Sequence, residues 1–289
     1  MSYLLHLLVM VEIYTIVALS LNLIVGYAGL LSLAHAAFWG IGAYVSALLM
    51  VQLGLNFFVA LALGAVTAGA TSLLVAYPSL KLRGDYFVLA SLAFQVIAFS
   101  AFYNLVPITR GPYGIPGIPR PRLGGIVVGT LPAYALMTSI AVTGIGVVLW
   151  RLYTSPFGRA LKALRDDEVA ALSLGKNIVK LKVWAFALGG SAAAISGGLY
   201  AGYVTYIDPT SFTVDESIFM LAIVLVGGGG NVWGPILGTL VMILLPEVLR
   251  FSGLPDTVAP NVRQIIYGLL LILVVRFRPQ GLAGAYRIG

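Results

Sequence analysis

Apolar runs of about 20 residues constrain this chain more than any other feature of its sequence. A transmembrane helix needs about 20 apolar residues in succession, and runs of this kind lie at 57–77, 86–103 and 131–153, among others. Of the 289 residues, 60% are hydrophobic and 9% are charged, against roughly 25% charged in an ordinary soluble domain. A soluble fold could not cover so much apolar surface. The sequence therefore predicts an all-α, polytopic membrane protein, with one transmembrane domain over 1–289.

The apolar runs differ in length, and we predict eight or so membrane segments with some broken or re-entrant helices. Six runs are long enough to cross a membrane; they lie at 3–25, 26–49, 57–77, 86–103, 131–153 and 183–204. Three later runs are short and predict tilted or broken helices; they lie at 218–226, 237–249 and 265–275. The Pro- and Gly-rich loop at 104–125 is expected to be non-helical and to form a stiff cap over one membrane face.

Glu12 interrupts the first apolar run. A carboxylate in the middle of a membrane helix marks a functional site by default. The alternative is that the helix begins near Glu12 and that residues 1–11 are the remainder of a shortened span. We favour the alternative.

Residues 154–182 are the most polar stretch of the chain, with six of its 17 Lys and Arg and three of its 10 Asp and Glu. Pro156 favours a helix start. Asp166 and Asp167 can cap a second short helix, and Asn177 can cap a third that leads back into the membrane. Two short amphipathic helices between long spans are suited to contact a soluble partner. A solvated loop with incidental helicity is the alternative.

The distribution of Lys and Arg predicts the orientation, because basic residues concentrate in cytoplasmic loops. With 154–182 placed inside and the segments alternating from there, twelve of the 17 Lys and Arg lie inside. The 154–182 stretch and the C-terminus are therefore predicted to be cytoplasmic, and the 104–125 loop to face outward. The inside group consists of Lys81, Arg83, Arg151, Arg159, Lys162, Arg165, Lys176, Lys180, Lys182, Arg276, Arg278 and Arg287.

Several classes of function lack the residues that they would need. The chain has no cysteine, which excludes thiol catalysis and thiolate metal sites. It has no Walker-type phosphate loop, no HExxH and no GxSxG, so we predict no catalytic, cofactor or metal site. Few charges lie within the spans, which argues against an ion-coupled carrier. The net charge of +7 is attributed to cytoplasmic loops and not to nucleic-acid binding. A transporter of this kind would move a neutral or zwitterionic solute with energy supplied from elsewhere.

Three long motifs carry a resemblance to a known family. They are LNLIVGYAGLLSLAHAAFWGIGAY at 21–44, SPFGRALKALRDDEVAALSLG at 155–175, and YIDPTSF followed by GGGGNVWGPILG at 206–238. With them the chain resembles the permease subunits of bacterial branched-chain amino-acid ABC importers, and it is more similar to the M-type than to the H-type subunit. Relatives usually carry one further hydrophobic segment ahead of the part that matches 12–25.

The resemblance implies a set of partners in the cytoplasmic (inner) membrane. These are a related permease that forms a heterodimer, two ATPases that bind ATP and Mg²⁺, and an extracytoplasmic protein that delivers Leu, Ile or Val. It also implies that 158–175 docks in a groove of an ATPase. Leu161 and Leu164 are three residues apart and share a helix face, and Gly158 would permit a close approach. The residues expected to contact or position the ATPase are Gly158, Arg159, Leu161, Leu164, Arg165, Asp166 and Asp167.

The expected substrate pathway involves the stretch at 22–46, which combines uncharged polar residues with small ones. Its candidates are Asn22, Gly26, Gly29, Ser32, His35 and Gly40. Ser32 and His35 would share one side of a helix, and backbone groups freed by a helix break near Gly26 and Gly29 would meet the substrate. A second interrupted segment at 227–234 suggests a pathway near the midplane. The alternative is that these residues only pack helix on helix.

Other functions stay open at this point. Close relatives serve urea, short amides and other neutral amino acids, so the substrate could belong to one of those classes. A secondary transporter would need buried ionisable groups, and it would not need the 154–182 stretch to be helical. A structural membrane subunit would not need small residues along the pathway helices.

Overall fold

The part of the chain that the structure describes is predominantly α-helical. The computed structural model describes residues 2–82, 84–123, 126–250, 259–278 and 280–284; Arg83 and Arg287 of the predicted inside group lie outside these ranges. Within the described residues there are twelve α-helices. In chain order, α1 to α12 are Ser2–Asn22, His35–Leu53, Phe57–Ser79, Asp85–Asn104, Val106–Thr109, Leu131–Thr154, Pro156–Asp166, Glu168–Ser173, Ile178–Val204, Val214–Gly227, Trp233–Arg250 and Ala259–Phe277.

Six segments among the described residues are long and apolar enough to span a membrane. They are α1 with its extension to Tyr27, α2, α3, α4, α6 and α9. Each corresponds to one of the six long runs in the sequence. The three short runs lie in α10, α11 and α12, of which α11 and α12 contain shorter apolar helices. Because α10 and α11 are separated by a glycine-rich turn, the expectation of broken helices in this part of the chain is confirmed.

The first helix begins at Ser2 and continues past Glu12 without interruption. The interpretation that it begins near Glu12 is wrong. Contacts with other helices hold the first turns in place: the Tyr3 hydroxyl donates to Glu247, and His6 Nδ1 lies 2.6 Å from the Tyr203 hydroxyl oxygen. These contacts stabilise the helix from its first turns, well before Glu12.

The loop between α4 and α6 contains more regular structure than its composition predicts. The expectation that it is non-helical is wrong over Val106–Thr109, where α5 forms. Proline is tolerated in the first turn of a helix because the amide of that position has no intrahelical partner. Two strand pairs follow: β1 (Ile115–Pro116) pairs antiparallel with β4 (Tyr206–Ile207), and β2 (Arg122–Leu123) pairs with β3 (Ile126–Val127).

The contacts between loops place the connections at two opposite ends of the bundle. Lys182 Nζ donates to the Ser79 carbonyl over 2.9 Å, so the loop after α3 lies at the same end as the 154–182 stretch. The β1–β4 pairing joins the proline-rich loop to the turn after α9. Alternation of the helices therefore agrees with the predicted separation of these loops.

Glycines bring the central helices α2 and α9 into close contact. A Cβ on Gly197 of α9 would lie 2.0 Å from the Trp39 carbonyl oxygen of α2, and a Cβ on Gly42 would lie 2.3 Å from the Ala194 Cα. Both distances are shorter than any real contact. Small residues thus allow α2 and α9 to pack backbone against backbone.

Candidate functional site

The 154–182 stretch, called the coupling segment below, folds into two short helices followed by the start of α9. The Ser155 hydroxyl accepts from the Gly158 amide and caps α7. Asp167 caps α8 by accepting from the amides of Val169 and Ala170. Asn177 caps α9 by accepting from the Lys180 amide. The prediction of two short helices and a third that continues into the membrane is confirmed.

The apolar face of α7 is covered by this chain itself. Leu161 and Leu164 share a face, as predicted, but both are buried in a cluster with residues of α1, α6 and α9, including Leu19 and Tyr153. A side chain that is fully buried within its own subunit cannot enter a groove of another protein. The expectation that Leu161 and Leu164 enter a partner's groove is therefore wrong for this conformation.

Gly158 allows α7 to turn sharply against the end of α6. A Cβ at this position would lie 2.3 Å from the Tyr153 carbonyl oxygen and 2.5 Å from that of Leu152. The predicted clash exists, but it arises within the chain. Arg159 is exposed on the outer side of α7, and its Nη1 donates to the Thr154 carbonyl over 3.0 Å.

The exposed apolar side chains of the coupling segment lie on and just after α8. Val169, Leu172 and Leu174 are exposed, Leu174 to 75%. Val169 and Leu172 are three residues apart and so share a helix face. The sequence analysis predicted a short helix after Asp167 but did not identify these residues as a contact surface. The sequence feature that could have identified them is the Asp167 cap, because it fixes where α8 begins.

Arg165 joins the coupling segment to the end of the first membrane helix. Its side chain is 9% exposed, and Nη1 donates to the Gly26 carbonyl over 2.8 Å. Nε and Nη2 contact Asp166 Oδ1 at 2.9 and 2.8 Å. A Cβ on Gly29 would lie 2.6 Å from Arg165 Cγ. The guanidinium and its stem therefore pack directly on the segment in which two predicted pathway glycines lie.

That segment is a break between two membrane helices. α1 passes into a π-helical turn at Leu23–Tyr27, and α2 does not begin until His35. Ser32 lies in the break and not on a helix, so the interpretation that Ser32 and His35 share one side of a helix is wrong. The Ser32 hydroxyl accepts from the Ala34 amide over 3.3 Å.

The backbone groups at the break have partners within the chain. The Leu30 amide donates to the Ile24 carbonyl, and the Leu33 amide donates to the Ser91 hydroxyl. The Ala36 and Ala37 amides at the start of α2 donate to Ser217 and Gln95. In this conformation these hydrogen bonds stabilise the break. None of these four amides is therefore free to meet a substrate, as the sequence analysis expected of backbone groups at the break.

The second interrupted segment, between α10 and α11, meets the first in space. Asn22 Oδ1 accepts from the Gly230 amide over 3.0 Å, and Asn22 Nδ2 donates to the Asn231 carbonyl over 2.7 Å. The Asn231 side chain in turn accepts from the Gly234 amide and caps α11. Two stretches about 200 residues apart are therefore joined by one side chain.

The predicted pathway residues are largely internal. Asn22, Gly26, Ser32, His35 and Gly40 are buried, while Gly29 is exposed and lines a cavity of about 280 Å³ beside the coupling segment. His35 Nε2 lies 2.8 Å from the Ser20 hydroxyl oxygen, and a Cβ on Gly40 would lie 2.7 Å from the Phe102 ring. For Gly40 and His35, these contacts are those of helix packing.

The membrane helices also hold more buried ionisable groups than the sequence analysis indicated. Glu12 is 7% exposed in the middle of α1, and it accepts from the hydroxyls of Thr138 and Ser139. Lys182 is 3% exposed near the start of α9 and lies 3.2 Å from Glu168. Glu216 accepts from the Tyr14 hydroxyl over 2.7 Å. Charge scarcity in the spans is thus a weaker argument against ion coupling than the sequence alone indicated.

Six membrane-length helices, two broken segments that meet inside the bundle and an amphipathic segment tied to one of them define a polytopic membrane permease. A family model described as the permease component of branched-chain amino acid transport systems matches residues 3–275. The chain belongs to this permease family.

Individual relatives agree with the family match. The chain is 34% identical, over 94% of its length and 68% of the relative's, to the high-affinity branched-chain amino acid transport system permease protein LivM of Salmonella typhimurium. It is 28% identical to a probable LivM of Methanocaldococcus jannaschii, over 93% of this chain and 90% of the relative. It is 26% identical to LivH of Salmonella typhimurium, over 94% and 91%. The greater similarity to the M-type subunit is confirmed. No solved structure matches the chain significantly.

Proposed function

We propose that this chain is the M-type permease subunit of an ATP-binding-cassette importer that moves branched-chain amino acids inward across the cytoplasmic membrane. The observation that carries the proposal is the contact of Arg165 with Gly26 and Gly29. It gives a soluble motor at the coupling segment a direct mechanical connection to a broken membrane helix. The names of the LivM relatives, which are branched-chain amino acid permeases, support the substrate class.

The coupling segment has two faces with different roles. Its inner face, with Leu161, Leu164 and the aliphatic part of Arg165, packs on the membrane helices. Its outer face presents Leu172 and Leu174 to a partner. A partner ATPase docks on the outer face, and the inner face transmits the resulting movement. Of the seven residues predicted for coupling, Leu161, Leu164, Gly158 and Arg165 position the segment. The other three, Arg159, Asp166 and Asp167, are exposed at its surface.

The remaining partners follow from the family. A second, related permease completes the membrane part, two ATPases supply ATP and Mg²⁺ binding, and an extracytoplasmic binding protein delivers the amino acid. The coupling segment and the C-terminus lie on the cytoplasmic side, where most of the basic residues then reside. This chain itself carries out no ATP hydrolysis and makes no contact with nucleic acid. Its other surface faces lipid.

Reconstitution tests the proposal. Proteoliposomes that contain both permeases and the ATPases are supplied with the binding protein and radiolabelled leucine. We expect uptake that requires ATP, the ATPases and the binding protein together. Uptake that persists without ATP or the ATPases would instead identify a secondary transporter. Uptake of urea or a short amide in place of leucine would preserve the importer and change its substrate.

A further inference from the structure

A lateral groove of about 550 Å³ runs between α1, α6 and α11. Its walls are mostly apolar, with Leu19, Val142, Val147 and Ile236 among the lining residues. The volume lies in the range of small-molecule sites, which is about 300–1,000 Å³. Along α6 the groove extends from Val142 to Trp150, or roughly 12 Å at about 1.5 Å per residue. It therefore covers a little under half of a hydrocarbon core of about 30 Å.

A single carboxylate lies in this mostly apolar groove. Glu12 lines it together with the hydroxyl-bearing Thr15 and Thr143. Among the described residues, no Lys, Arg or His nitrogen lies within ion-pair distance of Glu12. A carboxylate has about four acceptor positions, and the hydroxyls of Thr138 and Ser139 occupy two of them. Glu12 can therefore accept further hydrogen bonds from a donor in the groove.

Lipid is a poor occupant for such a groove. Carboxylates within membrane segments are costly, and they face the bundle interior or a water-filled path. A ligand that fits must bring a hydrogen-bond donor, preferably a cationic one, to Glu12 and an aliphatic part to the walls. An amino acid with an apolar side chain has both, since its ammonium group lies beside the branched chain.

The groove also has a direction. Glu12 lies near the middle of α1, whereas Leu19 and Trp150 lie nearer to the coupling segment, where Tyr153 contacts the Leu19 carbonyl. A solute that moves from Glu12 along the groove thus approaches the end of the bundle that holds the coupling segment. The helix breaks adjoin this end, because Asn22 follows Leu19 by less than one turn.

We propose that this groove is one wall of the substrate path, and that the Glu12 carboxylate receives the ammonium group of the transported amino acid there. This inference rests on the proposed function and names the substrate contact within it. It replaces the buried stretch at 22–46 as the surface that touches substrate. That stretch then serves as the movable support behind the wall.

Two glycines on α6 provide a matched test. A Cβ on Gly146 would face the groove, with Leu19 Cδ1 at 3.9 Å as its nearest neighbour, whereas a Cβ on Gly144 meets nothing within 4 Å. Both positions therefore tolerate a side chain without a clash. In the complete importer we expect Gly146→Leu to lower leucine uptake at least about tenfold, and Gly144→Leu to stay within about twofold of the parent. Equal uptake by the two variants, at equal assembly, overturns the proposal.

Cysteine labelling gives a second readout, which does not depend on transport. The chain has no cysteine of its own, so Thr143→Cys places one thiol in the groove, and Val148→Cys places a control thiol outside it. A water-soluble methanethiosulfonate reagent should label Thr143→Cys at least about tenfold faster, and leucine should slow that labelling. Equal, slow labelling of both would show that lipid fills the groove, and labelling unaffected by leucine would show that substrate does not enter; either result overturns the proposal.

Glu12→Gln tests the charge. It keeps the size of the side chain. One of the hydroxyls of Thr138 and Ser139 can donate to the amide oxygen, and the other can accept from the amide NH2. We therefore expect normal assembly with leucine uptake lowered at least about tenfold. Unchanged uptake overturns the role of the carboxylate. If the unmodified importer takes up another neutral amino acid and not leucine, the proposed substrate fails. The comparison of Gly146→Leu with Gly144→Leu, made with that amino acid, then still tests whether the substrate passes along the groove.

Discussion

Arg165 offers the sharpest test of how the coupling segment acts on the membrane helices. Its guanidinium donates to the Gly26 carbonyl in the π-helical turn, and its stem packs on Gly29. Arg165→Ala removes both contacts and leaves α7 attached through its apolar face. We therefore expect an importer that assembles and still hydrolyses ATP but transports less amino acid for each ATP hydrolysed.

The magnitude follows from the type of bond that is lost. A hydrogen bond to a charged group contributes about 1.5–3 kcal/mol, more than a neutral one, and this guanidinium is only 9% exposed. A loss of about 2 kcal/mol corresponds to roughly a 30-fold change in an equilibrium constant. We thus expect leucine uptake at least about tenfold lower, with ATP hydrolysis within about twofold of the parent.

The assay measures ATP hydrolysed per leucine taken up by proteoliposomes. Lys176→Ala is the matched control, because Lys176 is an exposed basic residue of the same segment and should leave the ratio unchanged. Arg165→Lys keeps the charge but lacks the planar fork that bonds both Gly26 and Asp166. Its ratio of ATP to leucine should therefore lie between those of Arg165→Ala and Lys176→Ala. An unchanged ratio in a fully assembled Arg165→Ala importer would refute the mechanical connection.

A double-mutant cycle shows whether Arg165 acts through the break. Gly29→Ala introduces a Cβ at 2.6 Å from Arg165 Cγ, at a backbone φ of +70°, where an L-residue is strained by roughly 1–2 kcal/mol. The clash with Cγ disappears in the Arg165→Ala background, whereas the strain remains. The effects of the two changes on the ratio should therefore be non-additive. Additive effects would place the action of Arg165 elsewhere.

Three further predictions concern the same region and the orientation. Gly158→Val should force α7 away from the Tyr153 carbonyl and raise the ATP consumed per leucine at least about tenfold; a normal ratio would contradict this. Leu172→Asp should weaken copurification of the ATPases roughly tenfold without changing the thermal stability of the permease pair, and unchanged copurification would exclude α8 as the docking face. Tyr113→Cys, at a side chain 81% exposed, should react with an impermeant thiol reagent only from the extracytoplasmic side, and labelling from the cytoplasm alone would invert the topology.

Local signals predicted the helices of this chain well. Apolar run length identified six of the membrane helices, and Asp167 and Asn177 marked two helix starts because their side chains accept from the next free amides. The start of α1 was missed for a tertiary reason. Residues 2–11 are held by Glu247 and Tyr203, and partners so distant in sequence leave no local signal.

Assignment of residues to roles was less successful than assignment to helices. Leu161 and Leu164 form an amphipathic face, but periodicity says nothing about whether that face meets a partner or the same chain. In the structure it meets α1, α6 and α9. The exposed Leu172 and Leu174 could be distinguished from them only by burial. Ser32 was assigned to a helix because it lies in the apolar run at 26–49, whereas the break is stabilised by hydrogen bonds from the Leu33 amide to Ser91 and from the Ala36 and Ala37 amides to Ser217 and Gln95.

The two attachments of the coupling segment explain where a force on it would act. Lys182 joins the start of α9 to Ser79 and Glu168, which fixes α8 to the ends of two continuous helices. Arg165 instead joins α7 to a π-helical turn, a geometry that is rare and often marks functional sites. Continuous helices resist bending, so we expect displacement of the segment to be taken up at the break. Asn22 would pass it to the second break, because it bonds Gly230 and Asn231. Movement would then reach the two interrupted segments, beside the end of the groove where Leu19 and Trp150 lie.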